Sequence, residues 1–280
     1  QVIKTLRRLF AIVDVPHITM SGGEPLIFPR FQEVVLFCRL KKKGVTIISN
    51  GTANPDEYEQ KHKMGVSLFE LPIHSSKEEE HDLQAGKKGA WKNSIAALTR
   101  LKHIGAQAVV VIVITKLNYK RISETLYFIK NLGFERVMLN RFNIGGQGIH
   151  DKEIVGLTNK ELRKAFANAH KVVVDSGIVA TSNVCSPQCV LDPDDYPSIP
   201  FSACYPRAID RRPWTLDPAG DVRFCNHSPR VVGKIGWRGP VNPKLNRMGS
   251  HNAGLTLPLR TMPSLAVTAI ARILIRTSRA

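Results

Sequence analysis

Five cysteines occur in the chain, and four lie in its last third as Cys185-x-x-x-Cys189, then Cys204, then Cys225. Four thiolates in one stretch suit an all-sulfur tetrahedral centre, either zinc or an iron–sulfur cluster. Near the start, Ser21-Gly22-Gly23-Glu24-Pro25 follows the short apolar run His17-Ile18-Thr19-Met20 and precedes a helix-like stretch from Phe28 to Lys43. Two adjacent glycines let the main chain approach a ligand and turn its N–H and C=O groups outward. Glu24 adds a fixed carboxylate and Pro25 stiffens the exit, which suits a ligand carrying an amine. A plain strand-to-helix loop is the alternative for an isolated G-G-x-P.

These residues need a scaffold, and the pattern from Val45 to Phe142 supplies one. Short β-rich runs at Val45 to Ser49, Leu68 to His74, Val109 to Thr115 and Arg136 to Phe142 read as strands. Helical spacing fills Pro55 to Met64, Ala90 to Ile104 and Ile122 to Leu132, with Gly65, Gly105 and Gly133 placed where helix ends take a left-handed residue. The runs Leu68 to Ile73 and Val109 to Ile114 are continuously apolar, as strands buried on both faces of a parallel sheet are. Ile3, Leu6, Leu9, Phe10 and Val13 share one face of an amphipathic helix at the very start. A β/α series of this kind closes as a barrel or as an open doubly wound sheet.

Gly22-Gly23-Glu24-Pro25 after a strand, with Ile47-Ile48-Ser49-Asn50-Gly51 one helix later, resembles the radical S-adenosylmethionine enzymes. The resemblance implies a partial (β/α) barrel lacking its first strand, with the cofactor lying across the C-terminal ends of the strands. It implies that Gly22, Gly23, Glu24 and Pro25 hold the methionine end of S-adenosyl-L-methionine, joined by Ser49, Asn50, Ser75 and Asn143 at the ends of later strands. His74-Ser75-Ser76 with His81-Asp82, Gly86 and Gly89 resembles the segment after the fourth barrel strand of peptide-modifying members, Ser75 meeting a ribose hydroxyl. Each has a local alternative: Asn50-Gly51 as a turn, Ser75-Ser76 as a cap for the Glu78-Glu79-Glu80 turn, Asn143 as a loop residue. His81 reads as a surface or capping residue.

Thr215 to Cys225 reads as two strands about an Asp217-Pro218-Ala219-Gly220 turn. With Cys204 before it and Asn226-His227-Ser228-Pro229 after it, this stretch resembles the opening of a SPASM or twitch extension, which carries auxiliary 4Fe-4S clusters. Cys185, Cys189, Cys204 and Cys225 are the expected metal ligands. One departure stands out: no C-x-x-x-C-x-x-C lies ahead of Gly22, although the family holds its radical-generating 4Fe-4S cluster on those three thiolates. Cys38 falls in the apolar stripe of Phe31, Val34 and Val35 and reads as a buried structural thiol. The expectation is therefore an N-terminally truncated, inactive fragment, the radical-generating cluster belonging to the full-length protein.

In intact form the resemblance implies reductive cleavage of S-adenosylmethionine to a 5′-deoxyadenosyl radical that modifies a peptide or protein substrate, with flavodoxin or ferredoxin as reductant. The alternative is a non-catalytic module whose four cysteines hold a structural zinc or cluster. The net charge of +17 raises nucleic acid as a partner, but ten of those charges follow Asp221, beyond which no acidic residue occurs. The basic residues form no interleaved aromatic platform for stacking bases, so specific nucleic acid is not expected as partner. No apolar run reaches the length of a membrane span and no signal peptide opens the chain, so no membrane partner is expected and the cytoplasm is the expected location. The domains expected are a core at 1–180, an extension at 181–235 and an unstructured or foreign tail at 236–280, in which Leu265 to Arg276 has helical spacing.

Overall fold

The computed structural model describes residues 2–144, 149–202, 214–217, 219–223, 230–235 and, as backbone, 270–274. Two compact units divide the chain, one of Gln1–Thr46 with Tyr205–Ala280 and the other of Ile47–Cys204.

The first unit opens with helix α1 (Val2–Ile12), strand β1 (His17–Ser21) and helix α2 (Phe31–Leu40). Leu6 and Leu9 of α1 are buried, and Phe10 stacks on Phe37 of α2 with ring centroids 5.9 Å apart. Cys38 sits with Phe31, Val34 and Val35 in the buried stripe of α2, as the sequence pattern predicts. Strand β2 (Gly44–Ile48) begins in this unit: the Gly44 N–H donates to the Pro16 carbonyl at 2.9 Å, and His17 Nε2 meets Thr46 Oγ1 at 2.7 Å. A Cβ at Gly44 would lie 2.3 Å from His17 Nδ1, so only glycine permits this approach.

The second unit continues with α3 (Pro55–Lys63), β3 (Leu68–Pro72), α4 (Glu78–Ala85), α5 (Ala90–His103), β4 (Ala108–Ile114), α6 (Ile122–Asn131) and β5 (Arg136–Arg141). It closes with α7 (Lys152–Val155), α8 (Asn159–Ser176) and β6 (Val179–Thr181). Strands β3, β4, β5 and β6 lie side by side in that order, all parallel. Phe69, Leu71, Val110, Ile112 and Leu139 are wholly buried within them, and Leu98, Leu101, Leu126, Ile129 and Phe166 cover them from the helices. Parallel strands demand crossovers, and here each crossover carries helix. The predicted left-handed glycines at 65, 105 and 133 have φ of 92°, 68° and 86°. Helix α8 was not foreseen, although its capping box of Thr158 and Glu161 and its left-handed Gly177 are legible as sequence.

Residues 182–202 form a loop whose base is sealed by main-chain bonds, Ser182 N–H to Pro200 O at 2.9 Å and Ser202 N–H to Ser182 O at 2.7 Å. Tyr196 and Phe201 press on Phe166 of α8 at centroid distances of 5.8 and 5.3 Å, and Leu191 and Ile199 are buried.

The first unit resumes with β7 (Thr215–Leu216), β8 (Asp221–Arg223), β9 (Gly233–Lys234) and β10 (Ile270–Leu274). Strands β7 and β8 form the antiparallel hairpin expected about Asp217 to Gly220, and β9 adds to it. Asp217 organises the turn: Oδ1 accepts from the Ala219 and Asp221 N–H groups at 2.9 and 3.0 Å, while Oδ2 pairs with Arg223 at 2.9 Å. The helical spacing of Leu265 to Arg276 is overridden at its centre, because β10 runs parallel to both β1 and β7. Two sheet edges offer unfilled N–H and C=O groups there, and a strand satisfies both whereas a helix satisfies neither. The 236–280 segment thus contributes one strand; its other residues lie outside the described ones. No helix of the described residues is long and apolar enough to cross a membrane.

Deleting residues 236–280 removes the strand between β1 and β7. The expected result is a lower thermal midpoint and greater binding of a hydrophobic dye. An unchanged melting curve would show that β10 contributes nothing to the unit.

Candidate functional site

In the first unit the glycine turn completes β1. Gly22 and Gly23 both have positive φ, 98° and 51°, so the main chain reverses directly beyond Ser21. Glu24 is buried, and its Oε1 accepts the Leu26 N–H at 3.1 Å, capping a short 3₁₀ turn at Pro25–Ile27 in which Pro25 is the first residue. A carboxylate kept out of water demands donors, and the Leu26 N–H is one that Glu24 meets.

In the second unit the polar side chains gather beyond the C-terminal ends of its parallel strands. Ser49, next after β2, shares a hydrogen bond of 2.7 Å with the buried Tyr58 hydroxyl and accepts the Gly51 N–H at 3.1 Å. Asn50 is exposed, and its Oδ1 accepts from the N–H and the hydroxyl of Thr52 at 2.9 and 2.6 Å. Gly51 has φ of 82°, and a Cβ there would lie 2.6 Å from Ser94 Oγ on α5. The turn after β2 is therefore pressed onto α5.

Beyond β3, Ser75 is fully buried; its hydroxyl donates to Glu80 Oε2 at 2.7 Å and accepts the Lys77 N–H at 3.1 Å. Arg121 holds the other Glu80 oxygen at 2.5 Å, so the serine ends a relay of three groups. The Ser75 carbonyl accepts the Trp91 indole N–H at 3.2 Å. Asp82 caps α5 through the Gly89 and Trp91 N–H groups at 2.5 and 2.8 Å. Asn118, beyond β4, ties two strand ends: its amide donates to His74 O at 2.7 Å and to Val113 O at 2.9 Å, while Oδ1 accepts the Thr115 N–H at 2.8 Å. Asn143, beyond β5, lies 3.5 Å from the Arg141 guanidinium.

Of the surface or capping role read for His81, the surface half is corrected by its burial, while its ring does accept a main-chain N–H. His81 is fully buried, its Nδ1 accepts the His74 N–H at 3.0 Å, and its ring stacks on that of His74 with centroids 5.2 Å apart. Nδ1 as acceptor makes Nε2 the protonated nitrogen, and that buried N–H has no partner among the described residues. Burial, and then the neighbouring His81, push the His74 imidazole down to about 3, and burial pushes His81 down to about 4. Both rings are neutral at physiological pH. No spacing in the sequence joins His74 to His81, whereas Thr115-x-x-Asn118 carries a legible side-chain turn.

Cys185 and Cys189 lie on the 182–202 loop, neither in a disulfide, and Cys189 is exposed. Cys204 and Cys225 fall outside the described residues, and no group of three metal-ligating side chains occurs among the described ones. Two thiol donors within five residues fit half of a tetrahedral thiolate centre. Between them, the Ser186 hydroxyl is buried without a partner among the described residues, available as an O–H donor to a bound thiolate. Cys38, in the buried stripe of α2, is wholly buried, and burial pushes its thiol up to about 12.

Residues 1–129 match the family model of the Radical SAM superfamily. The chain is 27% identical over 124 residues to the AdoMet-dependent heme synthase of Methanosarcina barkeri, covering 44% of this chain and 36% of that protein. It is 26% identical over 164 residues to the antilisterial bacteriocin subtilosin biosynthesis protein AlbA of Bacillus subtilis, covering 56% of this chain and 35% of the relative. The chain thus spans about a third of the length of these two curated relatives. Among solved structures, Streptococcus suis SuiB bound to its precursor peptide SuiA aligns with a TM-score of 0.63 at 16% identity, over 82% of this chain and 55% of that one. That likeness is one of fold, the mixed α/β partial barrel with parallel strands.

Because the folded pKa values of both histidines lie below the ordinary 6.5, the unfolded chain takes up protons that the native one refuses. The stability they confer is complete above pH about 6.5 and declines as pH falls toward 4, by about 1.4 kcal/mol per pH unit for each group. His81→Asn preserves an acceptor for the His74 N–H and should flatten this decline by about one proton in urea unfolding between pH 4 and 6.5. An unchanged slope would show that His81 is charged in the native state.

Proposed function

We propose that the chain is the part of a radical SAM protein that binds S-adenosyl-L-methionine and presents it to a peptide or protein substrate. The observation that carries this reading is the Gly22-Gly23 turn with the buried Glu24, which closes β1 within the segment matching the superfamily. In this reading the outward main-chain groups of Gly22 and Gly23 and the carboxylate of Glu24 receive the cofactor's amino group, with Pro25 fixing the exit. Ser49, Asn50, Ser75 and Asn143, at or just beyond strand ends of the second unit, are the further cofactor-binding residues of this reading. The peptide class of substrate is supported by the biosynthetic role in the name of the Bacillus subtilis relative and by the peptide in the Streptococcus suis structure.

The three thiolates that hold a radical-generating cluster are not supplied by these residues, so binding and orientation are the steps assigned to this chain. Without those thiolates it is expected not to cleave the cofactor. A second reading, a non-catalytic module with a structural zinc or iron–sulfur centre on Cys185, Cys189, Cys204 and Cys225, is favoured by the fit of the first two cysteines to half of such a centre. The readings separate on cofactor binding: the first requires it and the second does not.

Titration calorimetry with S-adenosyl-L-methionine is the direct test. Weak binding is expected, since no cluster iron chelates the cofactor, and Glu24→Gln should weaken it at least fivefold, about 1 kcal/mol for a charge-assisted bond. Binding that Glu24→Gln leaves unchanged removes Glu24 from the site. Metal uptake with no cofactor binding selects the second reading.

A further inference from the structure

The two arginines nearest the cysteine loop are engaged in an unusual way, each with main chain rather than with a carboxylate. Arg141, the last residue of β5, donates Nε and Nη2 to the Cys185 carbonyl at 3.0 and 2.8 Å. Its Nη1 reaches the Phe142 carbonyl at 3.3 Å, so the same guanidinium also holds the chain leaving β5. Arg163, on α8, donates Nη2 to the Cys189 carbonyl at 2.7 Å and Nε to the Val190 carbonyl at 3.0 Å. The carbonyl of each cysteine is thus held by a guanidinium from 44 or 26 residues away in sequence.

A planar fork with two donors fixes direction as well as distance, which one ammonium cannot do. Between the two clamps, the Pro187 carbonyl accepts the Val190 and Leu191 N–H groups at 2.8 and 3.1 Å, a turn that sets the separation of the cysteines. Asn140 adds a third tie, its Oδ1 accepting the Asn183 N–H at 3.0 Å. These contacts hold the loop through main-chain groups and involve neither thiol.

We propose that Arg141 and Arg163 are positioning residues for a thiophilic metal centre, holding Cys185 and Cys189 as a preformed pair of ligands before any metal arrives. The proposal rests on the reading that these cysteines ligate metal. The occupant is zinc or the iron of an iron–sulfur cluster, which share tetrahedral thiolate chemistry. As each Sγ–metal bond forms, the thiol proton passes to solvent, so two protons leave for two bonds and no electron moves. Preorganisation raises affinity because the ordering cost of the loop has been met on folding rather than on binding.

The test titrates the reduced, full-length chain with cobalt(II) alone under anaerobic conditions, following the thiolate-to-cobalt charge-transfer absorption. That absorption should be strong in the unaltered chain and lost in Cys185→Ser/Cys189→Ser. Arg163→Gln and Arg141→Gln should each weaken cobalt binding about tenfold with circular dichroism and thermal midpoint unchanged, and Arg163→Lys should not restore it. Cobalt affinity within twofold of the unaltered chain in both glutamine variants overturns the positioning role while leaving the cysteine site standing. Absence of the absorption from the unaltered chain overturns both. Should Arg141→Gln fail to fold, Arg163→Gln decides alone, its side chain being exposed. Zinc retained on purification, or a chromophore formed with iron and sulfide, supports the site when it requires the two cysteines, and tells the occupants apart.

Discussion

Strand β4 governs the second unit, because it is paired on both edges and covered on both faces. With β3 on one side and β5 on the other, Ala108–Ile114 is almost entirely enclosed. Such a strand has no room for a polar side chain, whose burial without partners costs several times what a hydrogen bond returns. Polar chemistry is therefore displaced to the strand ends, and parallel pairing puts all the C-terminal ends on one edge. The positions of Ser75, Thr115, Asn118 and Asn143 follow from that constraint, whatever ligand the edge serves.

At that edge, most of the polar side chains act on the backbone before they act on anything else. Asn118 satisfies two carbonyls and one N–H, Asp82 closes the start of α5, and Ser49 holds Gly51 against α5. Strand ends leave main-chain groups without ladder partners, and each must be met by something. The C-terminal edge of the parallel strands is thus a layer of caps. The neutral histidine pair extends this logic inward: His81 meets the His74 N–H because a buried N–H requires an acceptor.

The scaffold was legible from the chain to within one or two residues at most element ends, because β4 and its neighbours announce themselves as continuous apolar runs and the helix-ending glycines punctuate them. The Asp217 hairpin was legible for the same kind of reason, a turn whose side chain does local work. What escaped was long-range or contextual. Nothing near Arg141 or Arg163 announces a partner dozens of residues away, and His81 looks polar until α4 turns it inward. The segment at 270–274 carries helical spacing, yet two open sheet edges decide its state. Of the four expected cysteine ligands, two lie on the 182–202 loop and two fall outside the described residues.

The clamps on the cysteine loop separate two kinds of information along the chain. Loop placement is written at positions 141 and 163, through carbonyls that every amino acid possesses, while the side chains at 185 and 189 take no part in those bonds. Neither set constrains the other. Positions 185 and 189 can therefore change identity without moving the loop, exchanging sulfur for imidazole, for example, on an otherwise unaltered platform. For protein engineering the same separation makes residues 185 and 189 natural places to graft a different ligand pair, with the geometry already in place.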